Sequence, residues 1–261
     1  MTSDSAPGSN RQTASFGFQE VASEQKSSLV RGVFESVAGR YDLMNDLMSA
    51  GIHRVWKRAM IDWLQPHPGQ LFIDVAGGTG DIAIRIHERL ERQAPAKGSR
   101  IIACDLTPAM LEIGRDRALD HGILQGIAWI NGDAERLPFA DRTFDAYTIA
   151  FGLRNLTHLG DGLREALRVL KPGGRFLCLE FSHVAWPILD RLYDLYSFQI
   201  LPMLGQMVTQ DRAAYQYLVE SIRKFPKQDE FSRQIASVGF DRVAFRNLTG
   251  GIAALHSAWR I

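Results

Sequence analysis

The sequence predicts an α/β fold built on one doubly wound, mostly parallel sheet of seven strands. Two observations predict it. From residue 71 onward, short apolar runs suited to buried parallel strands alternate with helical patterns. A glycine-rich turn, Gly77 to Gly80, joins the first of those runs to a helix. Right-handed crossovers between such units then wind the sheet in both directions from its middle. At 261 residues the chain has room for one large domain or two small ones. We read a flexible arm over 1–27 and a single domain over 28–261. The 46% hydrophobic and 23% charged fractions exclude a disordered, collagen-like or coiled-coil protein. A formal net charge of +1 gives no electrostatic reason to expect a nucleic-acid partner.

The arm is rich in Ser, Gln, Thr and Gly and poor in apolar residues, which predicts loose attachment. It has no apolar core segment of a secretory signal, and Asp4, Glu20 and Glu24 fit an organelle transit peptide poorly. Residues 28–65 change character. Val30, Val33, Phe34 and Val37 recur at helical spacing, and Val55, Met60, Ile61 and Leu64 continue the stripe up to the breaker Pro66-His67-Pro68-Gly69. Strands are expected at 71–76, 100–105, 127–130, 144–151 and 175–181. Ile82, Ile86 and Leu90 mark the helix after the first. Pro108 opens a helix to about Asp120, with Thr107 as a plausible N-cap. Another helix, 162–170, stops at Pro172-Gly173-Gly174. Residues 187–205 are apolar and aromatic at helical spacing, part of a helical insertion over 186–225. A helix at 228–238 precedes two closing strands, 239–245 and 252–259, with Gly250-Gly251 between them. Cys104 and Cys178 each lie in an apolar run and read as buried reduced thiols. No Cys, His and carboxylate cluster has metal-ligand spacing, so no metal is expected. No run approaches the roughly 18–20 apolar residues of a membrane span.

Asp74-Val-Ala-Gly77-Gly78-Thr79-Gly80-Asp81 is the most informative stretch. Glycines allow positive φ and let a ligand approach without a Cβ in the way. The turn sits at the carboxyl end of the first strand, where open α/β sheets bind ligands. Two ligands compete for it. Gly78-x-Gly80-x-x-Ala83 formally fits a dinucleotide fingerprint, with pyrophosphate on the helix N-terminus. The other is S-adenosylmethionine, which carries no phosphate. Its sulfonium and amino groups favour nearby carboxylates, and Asp74 and Asp81 bracket the glycines where pyrophosphate would meet repulsion. Asp105, ending the second strand, followed by Leu106, is placed for ribose hydroxyls and serves either ligand. Gly132-Asp133-Ala134-Glu135, after the third strand, offers a carboxylate to an adenine amino group.

Two longer stretches, Tyr41 to Trp56 and Arg168 to Ser182, resemble the two signatures of the ubiquinone/menaquinone biosynthesis C-methyltransferase family. Asp74 to Asp81, Gly132 to Phe139 and Phe151-Gly-Leu-Arg-Asn155 are similar to it as well, so the resemblance runs from about 28 to 261. It implies a Class I S-adenosylmethionine-dependent methyltransferase with N-terminal helices and a helical lid. It also implies methylation of a ring carbon of a polyprenylated benzoquinol or naphthoquinol. Thr79, Asp105 and the pair Asp133-Ala134 would then touch the cofactor. Where the family often has a serine before Phe-Gly-Leu-Arg-Asn, this chain has Ala150, which removes one side-chain contact. Arg154, Asn155, Tyr41 and His53 are the candidates for the chemistry. Arg154 would stabilise a phenolate or polarise a water, Tyr41 would close the site, and His53, titrating near neutrality, would be the base. Residues 187–205 would form a lid or meet a membrane surface, with an ordinary core or dimer helix as the alternative. These readings place the protein in the cytoplasm or at the inner face of a membrane, alone, as a homodimer or in a quinone-biosynthesis complex. The rivals are another small-molecule methyltransferase, a dinucleotide oxidoreductase and a non-enzymatic scaffold member of such a complex.

Overall fold

The computed structural model describes residues 13–40, 46, 49, 51–93, 100–184 and 212–261. Tyr41 and the 187–205 segment, both singled out above, lie outside them.

A seven-stranded sheet carries the fold. Its strands are β3 (Leu71–Val75), β4 (Arg100–Asp105), β5 (Ile127–Asn131), β6 (Phe144–Ala150), β7 (Leu170–Phe181), β8 (Asp241–Leu248) and β9 (Ala253–Trp259). The order is β5-β4-β3-β6-β7-β9-β8. The first five run parallel, and β9 pairs antiparallel with both β7 and β8. The chain moves outward from β3 to β5, then returns to start β6 beside β3. That reversal opens a crevice at the carboxyl ends of β3 and β6.

Alternation along each strand splits the core into two layers. On one face Phe72, Ile101, Leu177 and Leu179 pack with Trp56, Met60 and Leu64 of α2 (His53–Leu64). Ile82, Ile86 and Leu90 of α3 (Asp81–Gln93) join them, as do Tyr215 and Leu218 of α6 (Arg212–Lys224). On the other face Ile73, Val75, Tyr147, Phe176 and Cys178 meet Leu163 and Ala166 of α5 (Leu159–Val169) and Phe231 and Ile235 of α7 (Gln228–Ser237). The helix α4 (Pro108–Asp120) packs against β4 and β5. Pro108 stands in its first turn as expected, but the Thr107 side chain makes no capping hydrogen bond. Gly114 of α4 and Gly80 both abut the Trp129 indole. A Cβ on Gly80 would stand 2.4 Å from that ring, and its φ of 76° already favours glycine.

The N-terminal reading needs correction. Within the expected loose arm, the described residues from 13 onward form a hairpin, β1 (Thr13–Phe16) and β2 (Gln19–Ala22), leading into α1 (Ser23–Val37). Composition misled because the hairpin is held from outside. Phe16 stacks on Tyr217 with ring centroids 4.4 Å apart, and Glu220 Oε2 accepts the Phe18 backbone N–H at 2.9 Å. The fifth core strand also starts earlier than 175. It begins at Leu170, and its ladder with β6 shifts register between Phe144 and Ala146 to pass Pro172-Gly173-Gly174. Both cysteines are buried free thiols. No helix among the described residues is long and apolar enough to cross a membrane.

Candidate active site

The crevice opens into a cavity of about 920 Å³. The ends of β3, β4, β5 and β6 contribute Ala76, Gly78, Asp105, Leu106, Gly132, Asp133, Ala134, Glu135, Phe151, Gly152 and Asn155 to its wall. Opposite them stands α1, with Ser23, Gln25, Ser27, Val30, Arg31 and Phe34. Lys26 anchors that helix by donating from Nζ to the Leu156 carbonyl at 2.6 Å.

The backbone around the crevice is strained where its two strands end. Ala76 has φ 49° and Phe151 φ 58°, left-handed values that cost a non-glycine residue roughly 1–3 kcal/mol. The loops they open approach closely: a Cβ on Gly152 would stand 2.4 Å from that of Ala76. A glycine is therefore required at 152.

Asp74, at the end of β3, is buried. Its Oδ1 accepts the Thr148 hydroxyl at 2.8 Å, while Oδ2 is buried with no hydrogen-bond partner among the described residues. Burial pushes this carboxyl up to about 7, against the pull of Thr148 and Lys57. Asp105 is better satisfied. Its Oδ2 accepts the Gly78 N–H at 2.9 Å and its Oδ1 the Thr107 N–H at 2.8 Å, and burial still raises its pKa. Asp133 Oδ1 accepts the Glu135 N–H at 2.8 Å. Glu135 in turn accepts the N–H groups of Thr157 and His158, and pairs with His158 Nδ1 at 2.9 Å. Glu135, His158 and Asp161 converge more closely than their sequence spacing suggested, with candidate ligand atoms within 4.8 Å of one another. Asp161 is also engaged by Arg164.

On the far side of the glycine turn, Asp81 opens α3 and binds two cations. Lys57 Nζ lies 2.7 Å from its Oδ2 and Arg85 Nε 2.6 Å from its Oδ1. Burial alone would raise its pKa, but the two cations bring it down to about 2. The ammonium of Lys57, itself buried, lies 6.0 Å from the Phe151 ring centroid.

Several expected contacts fall elsewhere. Thr79 is buried away from the cavity, its hydroxyl taken by Arg117 Nη1 at 3.1 Å, because α4 packs over that side of the turn. Gly77, Gly80 and Ala150 shape the crevice without lining the cavity, and Asp74, also expected to touch the cofactor, lies buried beneath the turn and does not line it either. His53 starts α2, buried, with Nδ1 2.8 Å from Ser49 Oγ. Burial and then Lys57 pull its pKa down to about 4, so it is neutral at pH 7 and a weak base. Arg154 is the largest departure. Its side chain is 2% exposed and that of Glu180 1% exposed, and Nη1 lies 2.7 Å from Glu180 Oε1. The same Nη1 donates to the Phe151 carbonyl at 2.5 Å, and the guanidinium lies over the Phe181 ring. The Arg154 charge is therefore directed into the core, and Asn155, next in sequence, is the residue of the pair that reaches the cavity. Tyr217 OH donates to Asn155 Oδ1 at 3.1 Å.

Sequence reasoning missed the whole α1 wall, along with Lys57, Glu180 and Tyr217. Only Glu180, inside a quoted motif, carried a signal: a carboxylate in an apolar strand needs a buried partner.

Comparison with known proteins fits this geometry. The fold is shared with S-adenosylmethionine-dependent methyltransferases. One from Thermotoga maritima, described as a possible histamine N-methyltransferase, is 16% identical, with a TM-score of 0.62 over 88% of this chain and 99% of its own. The ubiquinone/menaquinone biosynthesis C-methyltransferase UbiE of Brucella abortus (strain S19) is 56% identical over 95% of this chain and 91% of its own. That of Paracoccus denitrificans (strain Pd 1222) is 56% identical over 94% of this chain and 96% of its own. Residues 19–260 match the ubiE/COQ5 methyltransferase family, hairpin strand and α1 wall included. The chain belongs to that family and is a methyltransferase.

Proposed function

We propose that the cavity holds S-adenosylmethionine beside a polyprenylated quinol, and that the chain methylates a ring carbon of that quinol in ubiquinone or menaquinone biosynthesis. The observation that carries the reading is Asp105. It is a carboxylate at the end of β4, steadied by two backbone N–H groups and facing the cavity, the position from which ribose hydroxyls are held. The charge of the site agrees. Asp105 and Asp133 line the cavity, with Asp74 buried behind them, where a pyrophosphate would be repelled and a cationic donor welcomed. Asp74 Oδ2, buried without a partner, suits the donor's ammonium. Asp133 and Ala134 border the adenine end, and Leu106 offers it an apolar edge. The relatives are named as C-methyltransferases of ubiquinone/menaquinone biosynthesis, which favours a ring of that pathway as the acceptor.

When bound, S-adenosylmethionine supplies an electrophilic methyl on a positively charged sulfur. The protein's task is to align ring and methyl, which is worth several kcal/mol and about 7–11 at the upper limit, and to favour the ring as its phenolate. Val30, Phe34 and Phe151 give the ring apolar walls that exclude water. Asn155 is the polar group placed to donate to a ring oxygen. Arg154 acts behind it, holding the 153–155 turn through Glu180 and the Phe151 carbonyl. His53 supports α2 and does not take the proton.

Labelled methyl transfer to short-chain benzoquinol and naphthoquinol, side by side, tests the substrate. Binding of S-adenosylmethionine without transfer to either would overturn the quinol, and binding of NADH in its place would overturn the donor. Asp105→Asn should weaken S-adenosylmethionine binding about 10- to 100-fold by calorimetry, since a hydrogen bond to a charged group is worth about 1.5–3 kcal/mol. Turnover at saturating donor should change less than about threefold. His53→Ala should behave oppositely. Turnover stays within about threefold, while urea unfolding loses about 1–3 kcal/mol because a buried side chain that packs in the core and bonds Ser49 Oγ is removed. A hundredfold loss of turnover with normal stability would restore His53 as the base.

A further inference from the structure

Tyr217 lies outside every motif singled out in the sequence, on α6, yet it is built into the cavity wall from behind. Its hydroxyl donates to Asn155 Oδ1 at 3.1 Å, and its ring stacks on Phe16 of the N-terminal hairpin at 4.4 Å. We infer that Tyr217 is a positioning residue that fixes the Asn155 side-chain amide with its NH2 end available to the cavity, so that the enzyme meets the ring oxygen with a donor. This rests on the quinol reading above and assigns the polar group that serves it.

The argument is one of amide orientation. An asparagine offers an acceptor at one end and donors at the other, and its neighbours decide which way round it sits. A phenol is a good donor to the carbonyl end. Burial pushes the Tyr217 hydroxyl well above the ordinary tyrosine value, so it always has its proton to give. With Oδ1 committed to Tyr217, Nδ2 is the end left for a ligand. That end matches the chemistry. A quinol oxygen gains negative charge as the ring becomes nucleophilic, and a pre-oriented donor stabilises charge that develops in the transition state more than charge already present in the ground state. A flipped amide would present its carbonyl oxygen to the same charge and repel it. The backbone of Asn155 is separately fixed, since Arg154 and Glu180 hold the turn and the Asn155 N–H donates to the Gly152 carbonyl at 3.1 Å. The side-chain rotation is what Tyr217 adds. The Phe16 stack fixes the ring in turn, and this ties the hairpin to the site.

The test is Tyr217→Phe, which keeps the ring and its stack and removes only the hydroxyl. With S-adenosylmethionine and a short-chain quinol, kcat should fall about tenfold or more. The KM for both substrates should stay within about twofold and the melting temperature close to that of the parent. Asn155→Ala should lower kcat at least as far, and adding Tyr217→Phe to it should lower kcat no further. Unchanged kcat in Tyr217→Phe would overturn the inference. So would a further loss in the double variant, which would show that Tyr217 acts other than through Asn155. If the parent protein transfers no methyl to any quinol, the substrate reading fails instead, before Tyr217 is tested.

Discussion

Replacing Glu180 with alanine should remove about 3–5 kcal/mol of unfolding free energy, the cost of leaving a buried charge without its partner. The Arg154 and Glu180 side chains are almost wholly out of water, so solvent cannot stand in for either. Glu180 also accepts the Phe181 N–H at 2.9 Å and the Arg154 N–H at 3.4 Å, so its loss orphans backbone donors too. Arg154 would be left with the Phe151 carbonyl and the Phe181 ring, while its Nε already has no hydrogen-bond partner among the described residues. The double variant Arg154→Met, Glu180→Leu removes both charges and keeps most of the volume. It should recover stability to within about 1 kcal/mol of the parent, as buried pairs often do when replaced by apolar residues. Turnover should stay depressed at least tenfold, because the pair also clamps the turn that carries Asn155. Urea unfolding and methyl transfer on the same preparations separate the two effects. A single variant that loses less than about 1 kcal/mol would mean the pair is hydrated and exerts no clamp. Full turnover in the double variant would deny the link to Asn155.

Why this pair was misread from sequence shows how far sequence reaches. Arg154 was legible as important, since it follows the strand that borders the crevice. Its direction was not legible. That depends on β6 and β7 pairing in the register that sets Ala150 opposite Leu179, with the Phe151 N–H on the Leu179 carbonyl, which carries Glu180 beside the turn. A one-residue slip would put Glu180 on the other face of the sheet. The strands β3, β4, β6 and β7 were readable because burial within the sheet leaves near-continuous apolar runs, whereas β5, a partly exposed edge strand, was readable from the short run Ile127 to Ile130. Asp105 and Asp133 were readable because they end such strands. The hairpin and the cavity wall on α1 were not. Their anchors, Phe16 on Tyr217 and Lys26 on Leu156, reach across 201 and 130 positions, and locally the segment is short and polar. Thr79 shows the same limit inside a legible motif, because the packing of α4 and Arg117 decides which way its hydroxyl turns.

The affinity for S-adenosylmethionine should rise about tenfold per pH unit from roughly pH 5 to 7 and flatten between there and about 7.7–8.0, where the α-amino group of the donor loses its own proton. Asp74→Asn should flatten that slope and weaken binding about 100-fold near pH 7.5, where the carboxylate and the ammonium of the donor are both mostly charged. The sign follows from the carboxyl itself. Its pKa is about 7 in the folded protein and near the ordinary 3.8 once unfolded, so between those values the folded state holds the extra proton. Folding stability from this group therefore falls as pH rises from about 4 to 7 and is constant above. A cationic ligand works against that proton. It binds the ionised carboxylate, so below pH 7 each binding event must expel a proton, and each unit of pH below 7 costs one factor of ten, or 1.36 kcal/mol. Asp81, Asp105 and Lys57 share the local field. Asp81 is held near 2 by its two cations and stays ionised throughout. His53 and His256, both pulled down to about 4 by burial, remain neutral across the window, so they add nothing to ligand binding. They act on unfolding with the opposite sign, because stability is lost as pH falls from about 6.5 to 4 and the unfolded state takes up protons that the folded state refuses. An unfolding curve thus mixes opposed slopes, whereas ligand titration isolates Asp74. Calorimetry in two buffers of different ionisation enthalpy should show about one proton released at pH 6, and less as pH rises through 7 towards the range, about 7.7–8.0, where the α-amino group of the donor itself titrates. Affinity that is flat from pH 5.5 to 8 in the parent protein, with no proton released, would mean that the unpartnered oxygen of Asp74 does not face the ammonium of the donor.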